Sequence, residues 1–126
     1  MKLLDSNILI YAALPENEFL VAWVEDADAG FSELSFVEVL GYPGLTPEAE
    51  AFFEQVFARS TLWPVDAATL RHAALLRRTH RMKLGDAIIG ATALERDCEL
   101  VTRNAGDFRK ISGLRMVNPF ESQDEK

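Results

Sequence analysis

The chain predicts an α/β fold: one domain, with a central parallel sheet of about four to five strands flanked by helices. Three observations lead there. Short apolar runs alternate with stretches of helical periodicity along the 126 residues, and each crossover helix in such an alternation must bury its apolar stripe on a sheet. Apolar residues make up 48% of the chain, enough at this length for one core and not for two. Polar residues close the apolar runs, as they do where strands end at a ligand cleft.

Leu3 and Leu4 form an apolar run stopped by Asp5-Ser6-Asn7, a buried strand with a polar carboxyl end. Helical periodicity over 8–13 ends near Pro15. A second helix is expected over 18–29, where Phe19, Ala22, Trp23 and Ala27 recur at helical spacing and Gly30 supplies a stop. A strand over 31–34 follows. Ser35 stands three residues before Glu38 at the head of a short helix that Gly41-Tyr42-Pro43-Gly44 closes. Thr46-Pro47-Glu48 supplies a cap, a proline for the first helical position and an early acid, so a helix should reach about Arg59 with Phe52, Phe53, Val56 and Phe57 inward. A third strand over 61–65 contains Pro64, which suits an edge or a strand end. Asp66 caps a helix running to about His80, with Leu70, Ala73, Ala74 and Leu76 or Arg77 at helical spacing. The next helix, 84–97, is nearly all small or apolar and should be buried on most sides. A fourth strand over 99–102, a helical turn over 105–110 and a last strand over 114–117 complete a domain of residues 1–120, and 121–126 form a polar tail.

The single cysteine, Cys98, cannot form an internal disulfide, and no clustered Cys or His offers a tetrahedral zinc site. A charge interrupts the first apolar run too early for a signal peptide, and no stretch of about 18 apolar residues is present, so a cytoplasmic protein with no membrane segment is expected. A formal charge of −7 argues against an all-over nucleic-acid coat. The charge is unevenly spread, however. Residues 1–60 hold eleven acids against Lys2 and Arg59, whereas 61–126 hold nine acids and eleven bases. Arg71, Arg77, Arg78, Arg81 and Lys83, joined by His72 and His80, have no acid among them. Such a strip is either a solvated helix face or a phosphate-binding surface.

The acids can be placed on the expected sheet. Asp5 ends the first strand, Glu38 lies just after the second, Asp86 sits in the first turn of the helix before the fourth, and Asp107 follows the fourth. Helices in this architecture start at the edge where strands end, so the four carboxylates should share one rim. Each alone has an ordinary explanation: Ser35 and Glu38 match a capping box, Asp86 could offset a helix dipole, and Asp5 and Asp107 could close turns. Together they do not, because two carboxylates about 4 Å apart at an effective dielectric near 20 repel by roughly 4 kcal/mol. Either protons or a cation must compensate them. Oxygen donors select Mg²⁺ or Mn²⁺, and such a cation lowers the pKa of water and stabilises charge on a phosphoryl oxygen, the needs of phosphodiester hydrolysis. Asp5 and Asp86 are assigned as direct ligands, with Glu38 and Asp107 holding water, orienting the nucleophile or completing a second metal site. Ser6, Asn7, Thr102 and Asn104 are polar neighbours suited to aiming those ligands.

The blocks Leu3-Leu4-Asp5-Ser6-Asn7-Ile8-Leu9, Ser35-Phe36-Val37-Glu38-Val39-Leu40-Gly41, Lys83-Leu84-Gly85-Asp86-Ala87-Ile88-Ile89-Gly90-Ala91-Thr92-Ala93 and Leu100-Val101-Thr102-Arg103-Asn104-Ala105-Gly106-Asp107-Phe108 resemble, in this order, the PIN-domain family, and more narrowly its VapC-type toxins. The resemblance spans nearly the whole chain. It implies a Mg²⁺- or Mn²⁺-dependent endoribonuclease, the toxin of a toxin–antitoxin pair, that cuts RNA used in translation, forms homodimers and is covered by a cognate antitoxin. On the family's pattern Asp5, Glu38 and Asp86 fall on the three most regular acids and Asp107 on the fourth; Asn104 stands where relatives carry Asn or Asp, and Ser6 where Thr is frequent. Arg77, Arg78, Arg81, Lys83 and Arg103 are the candidate contacts to RNA or a partner protein. Two other classes fit the residues less well. An aspartate-nucleophile phosphotransferase needs a second Asp two positions after the first, where this chain has Asn7. A catalytically inactive module that binds an antitoxin or RNA would show no metal-dependent cleavage, and the presence of all four acids gives it no support.

Overall fold

The computed structural model describes residues 1–124, with side chains described as far as Glu121. Five strands form one sheet in the order β3-β2-β1-β4-β5, and every neighbouring pair is parallel. They are β1 (Lys2–Leu4), β2 (Ala29–Ser32), β3 (Thr61–Trp63), β4 (Glu99–Val101) and β5 (Met116–Val117). β1 extends one residue before its apolar run, β2 is shifted toward the N-terminus, and β3, β4 and β5 are shorter than their runs suggest. The first strand is thus central, pairing Leu3 with Gly30 on one side and Leu3 with Leu100 on the other.

Consecutive strand side chains point to opposite faces, and here each face has its own core. Leu3 and Leu100 belong to a cluster with Ala73, Leu76, Ile89 and Phe108, whereas Leu4 and Val101 join Ile8, Phe31, Phe53 and Phe57. The helices covering these faces are α1 (Ser6–Ala12), α2 (Val21–Val24), α3 (Leu34–Leu40), α4 (Pro47–Arg59), α5 (Ala67–His80), α6 (Leu84–Glu95), α7 (Ala105–Phe108) and α8 (Pro119–Asp124). Two start as the sequence indicates. Thr46 accepts a hydrogen bond from the Ala49 N–H at 3.1 Å ahead of α4, with Pro47 in its first turn, and Asp66 accepts from the Thr69 N–H at 2.9 Å ahead of α5. The run from Ala87 to Ala93 in α6 is buried throughout, because α6 lies between the sheet and α5.

Four expectations are corrected. The helix expected over 18–29 is a 3-10 helix, Pro15–Leu20, followed by the one-turn α2. Asn17 breaks helical geometry and its side-chain amide donates to the Tyr11 carbonyl at 3.2 Å. Gly30, read as a helix stop, lies inside β2, where a Cβ would come within 2.9 Å of Trp63 Nε1. In α5 the inward face is Thr69, Ala73 and Leu76, while Leu70 and Ala74 are exposed, since Thr69 turns towards α6 to donate a hydrogen bond to Glu95 at 2.8 Å. Part of the expected polar tail is helical, α8 running to Asp124; Phe120 at its start packs edge-on against Tyr11 and Phe19. Residues 125 and 126 of that tail lie outside the described residues.

Candidate functional site

Because all five strands are parallel, their carboxyl ends share one edge of the sheet, and the chain leaves β1 there at Asp5. The Asp5 N–H donates to the Val101 carbonyl at 2.9 Å, which ties the end of β1 to the end of β4. Its side chain is 5% exposed and accepts a hydrogen bond from Thr102 Oγ1 at 3.0 Å. Thr102 is itself buried, and its hydroxyl accepts from the Asn104 N–H at 3.0 Å, so the proton is aimed at the carboxylate. Burial, added to by the charges of Asp86 and Glu38, pushes the Asp5 carboxyl up to about 6 in spite of the Thr102 bond.

Glu38 is on the exposed side of α3. The capping box suggested by Ser35 does not form, because α3 begins one residue earlier at Leu34 and Ser35 is fully buried inside it. Glu38 Oε1 instead accepts from Ser6 Oγ at 2.6 Å, and Ser6 Oγ lies 2.7 Å from Ser35 Oγ. Ser6 has one hydroxyl proton. When that proton points at the ionised Glu38, which can only accept, Ser35 must be the donor to Ser6. The result is a relay, Ser35 to Ser6 to Glu38, that fixes a solvent-reaching carboxylate from the interior.

Asp86 lies in the first turn of α6, half-buried. Its carboxyl is raised by burial and then by the charges of Asp107 and Glu38, with Lys83 acting the other way. Gly85 before it leaves room for this approach: a Cβ there would lie 2.7 Å from Glu38 Oε2, so a larger residue would push the Glu38 carboxylate aside. Asp107, in the short α7, is exposed and lines a cleft of about 200 Å³ with Asp86, Gly106 and Lys110 on one side and His80, Arg81 and Lys83 on the other.

The four predicted acids are therefore linked through Asp86, which feels Glu38 and Asp107 and in turn raises Asp5. They grade from buried Asp5 through Asp86 to the exposed Glu38 and Asp107. Among the described residues no three acid, histidine or cysteine side chains are drawn tightly enough together to hold an ion as they stand. The donor set nevertheless fits a hard divalent cation. It is all oxygen, it carries more negative charge than nearby cations offset, and its buried member is forced toward protonation, which a cation would relieve.

Of the residues expected to aim the acids, Ser6 and Thr102 do so through their side chains and Asn104 through its backbone N–H. Asn7 is exposed. Among the candidate cationic contacts, Arg81 and Lys83 line the cleft, Arg77 and Arg78 line a neighbouring cavity, and Arg103 stacks on Phe120 with its guanidinium 4.0 Å from the ring centroid. Two contributors were missed from sequence. Ser35 was read as a cap, although its spacing from Ser6 gives no local signal. Lys110 stands three residues after Asp107, one helical turn on, a spacing that could have suggested it.

A PIN domain family model matches residues 2–114. Among solved structures, the toxin-antitoxin complex from Klebsiella pneumoniae is similar at 29% identity with a TM-score of 0.73, covering 94% of this chain and 98% of that one. FitAcB from Neisseria gonorrhoeae is similar at 26% identity and a TM-score of 0.69, covering 95% and 99%. DNA-bound VapBC from Salmonella typhimurium, at 22% identity and a TM-score of 0.76 over 94% and 98%, shares the fold. No curated protein gives a significant sequence match.

Proposed function

The chain belongs to the PIN domain family, and from that premise we propose that it is a Mg²⁺- or Mn²⁺-dependent endoribonuclease, the toxin of a type II toxin–antitoxin module. The carrying observation is the linked set Asp5, Glu38, Asp86 and Asp107 on one sheet edge, whose buried member is raised first by burial and then by the charges of Asp86 and Glu38. Asp5 and Asp86, the least exposed, are the residues that would hold the cation; Glu38 and Asp107 reach toward solvent and the cleft. When bound, the cation supplies polarisation of water and of the phosphoryl oxygen. Thr102 holds Asp5 in its orientation, and Ser6, backed by Ser35, holds Glu38 where it can orient a water or take its proton. Lys83 and Lys110 flank Asp86 and Asp107 in the cleft and supply positive charge beside the acids for a phosphate.

The solved relatives named above include a toxin-antitoxin complex at 29% identity, which supports a cognate antitoxin covering this acidic edge. We extend the family pattern to a homodimer acting in the cytoplasm; no described helix is long and apolar enough to cross a membrane. The deciding experiment is cleavage of total RNA by purified protein with Mg²⁺, Mn²⁺ or EDTA, comparing wild type with Asp5→Ala. Metal-dependent cleavage lost in Asp5→Ala is expected. Cleavage that survives chelation or the substitution would refute the assignment. An isothermal titration with Mn²⁺ adds an activity-free readout, heat of binding that Asp5→Ala removes.

A further inference from the structure

The turn between α5 and α6 places an arginine where glycine would be less strained. Arg81, the C-cap of α5, is left-handed at φ 56° and ψ 42°, a region that bulky L-residues enter at a cost and glycine enters freely. The turn does not need the Arg81 side chain. Its backbone N–H donates to the Arg77 carbonyl at 2.8 Å, Arg77 Nε donates to the Met82 carbonyl at 3.2 Å, and Met82 is buried. Strain kept at a position that packing does not require points to work done by the side chain.

The side chain's location suggests what that work is. On one side Arg81 lines the carboxylate cleft with Asp86 and Asp107; on the other it lines an open cavity of about 500 Å³ with Arg77 and Arg78, floored by Ala74 and Met82. Among the described residues none of these three arginines takes part in an ion pair. Exposed guanidinium groups converging on a cavity are suited to a phosphate. The cleft, at about 200 Å³, is smaller than the roughly 300 Å³ at which small-ligand pockets begin, so it suits one backbone linkage of a single strand rather than a duplex.

We infer that Arg81 is a phosphate clamp joining these two compartments: with Arg77 and Arg78 it grips the phosphate next to the one lying over the carboxylates, so that a single strand leaves the cleft along the end of α5. The cleft's part in this rests on the nuclease reading; the binding of a polyanion by Arg81 does not. The test uses Arg81→Gly and Arg81→Lys, each combined with Asp86→Asn, in EDTA, with a labelled single-stranded oligoribonucleotide followed by fluorescence anisotropy across a salt series. Arg81→Gly should raise the melting temperature yet weaken binding about tenfold and lower the salt slope by about one. Arg81→Lys should recover part of the affinity without the gain in melting temperature. Unchanged affinity and slope in Arg81→Gly would overturn the clamp, and a lowered melting temperature would make Arg81 a structural residue instead. With Asp86 intact and Mg²⁺ present, Arg81→Gly should raise KM for a trinucleotide but not for a dinucleotide with a single phosphodiester; an equal effect on both overturns the assignment to the neighbouring phosphate. Should the wild type cleave nothing while the Asp86→Asn protein still binds RNA through Arg81, the clamp stands and the nuclease reading falls.

Discussion

Asp5 and Arg81 stand at opposite ends of the solvent range. Asp5 is 5% exposed, bonded through its backbone to β4 and through its side chain to Thr102, and its charge is disfavoured by everything near it except that hydroxyl and a lesser pull from the Asn7 backbone. Arg81 is exposed, its side chain pairs with no acid among the described residues, and its burden is a backbone dihedral. The acidic edge thus concentrates its cost in desolvation and mutual repulsion, which protons or a cation relieve, whereas the basic strip keeps its charges hydrated until a polyanion arrives. Substitutions on the acidic side should therefore change chemistry and apo stability together, and those on the basic side should change binding.

The largest effect expected on the acidic side comes from Asp86→Asn, which removes the charge that links the set; cleavage should fall by roughly a thousandfold or more, measured on RNA with Mg²⁺, while the circular dichroism of the metal-free protein stays native. Retained activity would break the contrast. Ser6→Ala removes the donor to Glu38 and should lower cleavage by roughly 10- to 100-fold, with Ser6→Thr, which keeps the hydroxyl, closer to wild type; equal losses in both would point to packing rather than the hydrogen bond. Gly85→Ala should act on the same group by pushing a methyl against Glu38 Oε2, with a loss of about tenfold or more in kcat/KM that Ser6→Ala does not compound, because both displace one carboxylate.

The pH dependence sharpens the contrast. An acid whose folded pKa is about 6 and whose ordinary value is 3.8 holds more protons folded than unfolded between those values, so metal-free stability falls as pH rises through that window. Asp5→Asn lacks this term. In EDTA its advantage over wild type should grow by roughly 2 kcal/mol between pH 4 and pH 7, read by urea denaturation. The difference between the two proteins is the quantity to follow, since Asp26 and Asp66, held low by backbone and side-chain hydrogen bonds, titrate in both. A flat difference would show that Asp5 is not strained by its surroundings. The smallest effect on the cleavage step belongs to the basic side: replacing Arg77, Arg78 and Arg81 together by Ala should weaken RNA binding by more than Arg81→Gly alone and flatten its salt dependence. Cleavage of a dinucleotide should be nearly unchanged.

The rim itself was legible because it follows from topology. Once strands alternate with helices, residues just past strand ends and in the first turns of helices that start at that edge must meet; Asp5, Glu38 and Asp107 sit in the first kind of place and Asp86 in the second. The caps Thr46 and Asp66 were legible for a local reason, their bonds closing within three residues. What could not be read depends on partners distant in sequence. Ser35 looks like a cap until Ser6, 29 residues earlier, is placed against it. Gly30 looks like a stop until Trp63 leaves no room for a side chain. The left-handed turn at Arg81 carried no sign of its own, since glycine or asparagine would be its ordinary marker.

The central position of β1 has a consequence for the order in which the acidic edge is assembled. Lys2–Leu4 pair with β2 early in the chain but also with Glu99–Val101, and the amide of Asp5 is bonded to Val101. During synthesis the first acid emerges long before the strand that anchors it, so no nascent chain that has not reached Val101 can assemble the acidic edge.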